Sequence, residues 1–135
     1  MKEFKQNQSK KHDEIQIWCF KNIKEIIKGI TDKDFSDDDI KINEINIEEP
    51  IKQSNGYIVG YLDIICHFCI EKMEFSLIIE IKPEIYSLGD LIRQVKTYKN
   101  SFHNHRNIFV VVSKTDKYKE ILKSQNIRFF KYSIL

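Results

Sequence analysis

From Asn107 to Val112 the chain reads Asn-Ile-Phe-Val-Val-Val, uninterrupted and rich in β-branched residues. Such a run fits a strand buried on both faces, which calls for helices above and below the sheet that contains it. The preceding segment supplies one of them. Ser87-Leu88-Gly89-Asp90 sets a serine three residues ahead of a carboxylate, a variant of the capping box, and Leu88, Leu91, Ile92, Val95, Tyr98 and Phe102 follow at helical spacing until Asn100 to Asn104 end the stripe. A helix between two strands of one sheet makes a right-handed crossover, so the strand before it and the strand at 107–112 are expected to be parallel.

The remaining elements follow from the same periodicities. Ile15, Cys19, Ile23, Ile26, Ile27 and Ile30 predict a first helix over residues 12–29, with Gly29 and Thr31-Asp32 as its stop signal. An acidic loop over 31–39 leads to an imperfectly alternating strand within 40–53. Ser54-Asn55-Gly56 is a hairpin signal, after which Tyr57 to Cys69 reads as a second strand, with Gly60 at a bulge or a close approach. Glu71-Lys72-Met73 makes the next turn, and Glu74 to Lys82 a third strand that Pro83 ends. Asp116 to Lys123 reads as a short helix and Ile127 to Tyr132 as a last strand. The expected architecture is α/β, in the order α-β-β-β-α-β-α-β, with a central mixed sheet flanked by helices.

At 135 residues, 41% hydrophobic, with four Gly and two Pro, the chain suits one ordered domain over 1–135, its first 11 residues flexible. No apolar run approaches the roughly 20 residues that cross a bilayer, and the N-terminus lacks the apolar stretch of a signal peptide. Three cysteines, Cys19, Cys66 and Cys69, follow no disulfide framework, which fits a reducing compartment. These features read as cytoplasmic, with no membrane partner. Charge is unevenly placed. Residues 93–135 carry 10 Lys/Arg against 2 Asp/Glu, and residues 1–92 carry 12 against 18. A basic region beside an acidic pocket suits phosphodiester chemistry, in which cations hold a polyanionic backbone and carboxylates hold a metal.

The acidic pocket is visible within the strands. Asp63 interrupts Tyr61-Leu62-Asp63-Ile64-Ile65, and Glu80 and Lys82 interrupt Leu77-Ile78-Ile79-Glu80-Ile81-Lys82. A carboxylate in a core strand loses hydration worth several kcal/mol unless a cation or hydrogen bonds replace it. Glu80 and Lys82, two apart, share a strand face. Gln94 and Tyr98, four apart, share a helix face between the inward Leu91 and Val95. The trio alone fits either a metal site or an isolated buried ion pair.

Asp63 on the second strand, Glu80-Ile81-Lys82 on the third and Gln94-Val95-Lys96-Thr97-Tyr98 on the next helix together resemble the PD-(D/E)XK nuclease superfamily, in its RecB-like branch with a Gln-x-x-x-Tyr motif. The resemblance covers residues 12–114 and implies a restriction-endonuclease-like core. It implies hydrolysis of nucleic-acid phosphodiesters, DNA ahead of RNA, with Mg²⁺ or Mn²⁺ as cofactor. Asp63, Glu80 and the carbonyl of Ile81 would be metal ligands, Lys82 would position and help deprotonate a water, and Gln94 and Tyr98 would orient them. The superfamily tends to add a glutamate from the first helix, for which Glu14 is favoured over Glu25. Arg93, Lys96 and Lys99 are the candidates for phosphate contact. Leu62 stands where the pattern has proline.

Other signals carry less. Cys66 and Cys69 fall on opposite strand faces, with no second pair for zinc, and three cysteines are too few for an iron-sulfur cluster. His103 and His105 read as a polar loop, and Trp18 and Phe20 as packing groups. A nuclease-fold module without turnover, binding nucleic acid or a protein, is the competing reading. A homodimer through the terminal strand would be one way to cut two strands.

Overall fold

The computed structural model describes residues 10–31, 33–101 and 106–133. Along the chain come α1 (Lys10–Lys21), α2 (Ile23–Ile30), a 3₁₀ turn (Asp37–Asp39), β1 (Ile40–Lys52), β2 (Ile58–Ile70), β3 (Met73–Ile81), α3 (Leu88–Ser101), β4 (Asn107–Ser113), α4 (Lys119–Ser124) and β5 (Arg128–Lys131). The strands form one mixed sheet in the order β1-β2-β3-β4-β5. The first three are antiparallel neighbours, and β3, β4 and β5 run parallel. The helical crossover expected between β3 and β4 is therefore present.

The central strand is buried as its composition requires. Val110 and Val112 pack with Ile15, Cys19, Ile26 and Ile27 of α1 and α2 on one side, while Phe109 and Val111 pack with Leu91, Val95 and Tyr98 of α3 and Leu122 of α4 on the other. In β1 the apolar phase switches from Ile40 and Ile42 to Ile45 and Ile47, and the ladder with β2 carries a register shift between Ile42 and Glu44. The imperfect alternation thus encodes a β-bulge.

Four local expectations are corrected. The single first helix is two, because Asn22 leaves the helical conformation and its side-chain amide donates to the Trp18 carbonyl at 2.9 Å. Gly29 does not stop α2. It sits against β5, where a β-carbon would lie 2.7 Å from the Phe130 ring. Phe20 is exposed, whereas Trp18 packs on Phe130 and Tyr132. Lys10 and Lys11 already belong to α1. Phe102, His103 and His105 lie outside the described residues. Between β2 and β3 a two-residue turn puts Glu71 at φ 53° and Lys72 at φ 68°, the double left-handed geometry that usually selects Asn-Gly.

Candidate functional site

The β2–β3 ladder stops at Ile64 opposite Ile79. Beyond that point β2 continues only with β1, and β3 continues only with β4 through Ile81 opposite Val112. One more step in the same register would set Asp63 against Glu80, so the two carboxylates stand where the strands part. Both are buried, at 6% and 7% exposure.

Asp63 is held from several directions. Its Oδ2 accepts from the Ile81 backbone N–H at 2.7 Å, replacing the ladder bond that the parting removes. His12 Nε2 donates to Oδ1 at 3.1 Å, and Gln16 Nε2 donates to the Asp63 carbonyl at 2.9 Å. Burial pulls the His12 imidazole down, but the hydrogen bond and charge of Asp63, with help from Asp13, leave it above its ordinary value. Alternation also fails here. Leu62 packs with the α3 cluster and Ile64 with the α1–α2 cluster, although two residues apart they would ordinarily share a face. Across the ladder Glu48 stands at φ 54°, a left-handed conformation that non-glycine residues adopt at a cost of order 1 kcal/mol. Its Oε2 accepts from Gln16 Nε2 at 3.3 Å.

Glu80 is held from β3 and α3. Lys82 Nζ lies 3.5 Å from its Oε2, and the Gln94 amide donates to the same oxygen at 3.2 Å and to the Tyr98 hydroxyl at 2.6 Å. The Lys82 backbone extends the ladder by donating to the Val112 carbonyl at 3.0 Å. Burial and the charge of Asp63 outweigh Lys82 and Gln94 and push the Glu80 carboxyl up to about 8. Burial, followed by the charge of Glu80, pushes the Tyr98 phenol up to about 12, which leaves it neutral. Burial does the same to the Cys19 and Cys66 thiols, both pushed up to about 12.

Five side chains that the sequence singled out, Asp63, Glu80, Lys82, Gln94 and Tyr98, thus meet at one place. Glu14 is turned to solvent and paired with Lys11 at 3.2 Å, and Glu25 is also exposed. The first helix presents His12 and Gln16 to Asp63 instead. They occupy the same stripe as Ile15 and Cys19, so two polar residues on an apolar helical face were the signal. Nothing in the sequence marks Glu48. Arg93 is tied to Asp90, and Lys96 is exposed. Lys99 donates to the carbonyls of Gln125 and Asn126 at 3.3 and 3.2 Å and lies over the Phe109 ring, so it fastens α3 to the end of α4.

The fold is shared with solved endonucleases. A repair endonuclease from Pyrococcus abyssi matches 94% of this chain with a TM-score of 0.62 and 17% sequence identity. EndoMS in its apo form matches 96% with a TM-score of 0.53 and 13% identity. The chain spans about half the length of each, 49% in both cases. No protein-family model and no curated protein matches the sequence. Among the described residues no helix is long and apolar enough to cross a membrane.

Proposed function

We propose that this chain is a divalent-metal-dependent nuclease that hydrolyses phosphodiester bonds of nucleic acid, DNA ahead of RNA. The observation that carries the reading is the opposition of Asp63 and Glu80 where β2 and β3 part, with the Lys82 ammonium against Glu80. This donor set fits a hard cation. Two buried carboxylates stand at neighbouring positions of the parting strands with too little positive charge, which raises the Glu80 carboxyl. Among the described residues no three His, Cys, Asp or Glu side chains form a cage, so an ion held here would take its remaining ligands from water. Asp63, Glu80 and the Ile81 carbonyl would hold Mg²⁺ or Mn²⁺. Such an ion supplies Lewis acidity at a phosphoryl oxygen and acidifies a bound water.

The chain's own groups do the positioning. His12, Gln16 and the Ile81 N–H fix the Asp63 carboxylate, and Gln94 fixes that of Glu80. Lys82 is the cation available to orient the attacking water and offset charge on the phosphate, and the water's proton passes to a basic group there. The water oxygen bonds to phosphorus, and the departing ester oxygen leaves with a proton.

The test is cleavage of labelled single-stranded, double-stranded and branched DNA, and of RNA, with Mg²⁺, Mn²⁺ or a chelator. Lys82→Ala and Asp63→Asn should each lower the rate by about 10² to 10⁴. Cleavage that survives both would refute the site. Binding without turnover under either ion would favour a nuclease-fold binding module.

A further inference from the structure

Beyond the last β2–β3 pair, β1 and β2 run on as a two-stranded arm that ends at Gly56. Its faces are unlike. Ile51 and Gly60 are opposite each other in the ladder and lie with Leu62 toward α3, where a β-carbon on Gly60 would sit 3.4 Å from the Tyr98 ring. Tyr57 precedes the strand, Val59 lies at the β-bulge that shifts the register between Ile51–Gly60 and Lys52–Ile58, and alternation sends Tyr61 the other way. They are 72%, 38% and 36% exposed. The row begins two residues from Asp63. Past the Glu49–Leu62 pair the arm carries no acidic residue and Lys52 is its one charge, whereas Glu48, Glu49 and Asp63 stand at its base.

We propose that the outer face of this arm is a stacking surface for unpaired bases, so that a single strand lies along Tyr57 and Tyr61 as it enters the site. The inference rests on the nuclease reading for its substrate class. An exposed tyrosine ring offers every base a π-face, which favours unstacked nucleotides over a duplex whose bases already stack on one another. The lack of carboxylates past Glu49 limits repulsion of the phosphates that accompany those bases along the outer part of the arm. A second copy of the chain suits the face less well, because these side chains, even with the exposed Ile47 and Ile58, fall far short of the roughly 800 Å² per partner that a stable dimer buries.

The experiment is fluorescence anisotropy of the full chain with a labelled single-stranded oligonucleotide and with the blunt duplex of the same sequence. A chelator prevents cleavage. The protein should prefer the single strand, and Tyr57→Ala and Tyr61→Ala should each weaken that binding by about tenfold. Tyr→Phe at either position should retain it, as should Ile121→Ser, which removes an exposed apolar residue on α4. Thermal melts of each variant confirm that the fold survives. Equal binding by the alanine variants, or preference for the duplex, would overturn the proposal. So would loss of a dimer in sedimentation with single-strand affinity unchanged. Cleavage by the parent with arm variants that bind normally would sink the stacking surface alone. Strong single-strand binding that depends on the tyrosines, without cleavage under any metal, would sink the nuclease reading alone.

Discussion

Glu80→Gln should make the metal-free protein more stable at pH 8 and leave its stability almost unchanged at pH 5. A glutamate moved from 4.5 to about 8 by burial and by Asp63 is penalised in its charged form by about 5 kcal/mol. Because the folded carboxyl binds its proton more tightly than the unfolded one, the wild type loses stability as pH rises through that window, and the loss is complete above pH 8. His12, also raised, contributes with the same sign, but it is common to both proteins and largely cancels in their difference. Gln removes the charge, and its buried amide costs about as much to desolvate as the protonated carboxyl, a cost partly met by Gln94. The net gain should be about 4 kcal/mol at pH 8, or roughly 12–16 °C in Tm for a chain of this size. Differential scanning fluorimetry with a chelator, at pH 5, 6.5 and 8, reads it directly. Mg²⁺ should then raise the Tm of the wild type and not that of the variant. A variant less stable than wild type at pH 8, or equally stabilised at all three values, would show that Glu80 is not an under-neutralised buried acid.

Gln94→Leu removes the donor shared by Glu80 and Tyr98 and should lower cleavage by about tenfold or more, with single-strand affinity retained, as read from single-turnover rates against anisotropy. At Glu48 the left-handed φ of 54° should invert the usual strand preference, so that Glu48→Gly is more stable than Glu48→Val by at least about 1 kcal/mol in urea denaturation. Gly29→Ala places a methyl 2.7 Å from the Phe130 ring and should cost about 1–3 kcal/mol by the same measurement, whereas a glycine that merely ended a helix would tolerate alanine.

Much of the fold was legible because its signals are redundant. The strand at 107–112 is apolar throughout, and the helix before it leaves one topology for its connection to β3. Asp63, Glu80 and Lys82 were conspicuous because charge inside a core strand needs a reason. Gln94 and Tyr98 became visible through their spacing. What stayed hidden depends on single dihedrals or on polar groups in apolar company. Asn22 breaks a helix whose apolar stripe continues past it, so periodicity alone runs the two helices together. His12 and Gln16 lie on that stripe, but as polar groups they interrupt the isoleucine pattern instead of extending it. Glu71-Lys72 and Glu48 adopt positive φ without the Gly or Asn that advertises it. Glu14 attracts notice by residue type, but a helix register 100° per residue places His12, two positions earlier, against the sheet.

The site and the parting of the sheet have one physical origin. Neighbouring strands twist relative to one another by about 20–25°, and β2 is committed to the long arm with β1 while β3 is committed to the parallel β4. Their ladder therefore ends, and it ends inside the core, where an orphaned backbone N–H is not tolerated. The Ile81 N–H needs an acceptor that reaches across the gap, and the Asp63 carboxylate is that acceptor. The same parting sets Asp63 next to Glu80, where the proposed cation would be held. Asp63 thus carries a backbone repair with one oxygen while its other oxygen faces His12. Asparagine offers only one side-chain acceptor in its place, so Asp63→Asn strains the fold and disables the site together. Lys82, at the rim and 35% exposed in its side chain, bears no such structural duty toward the ladder. Its substitution is the one that separates chemistry from folding.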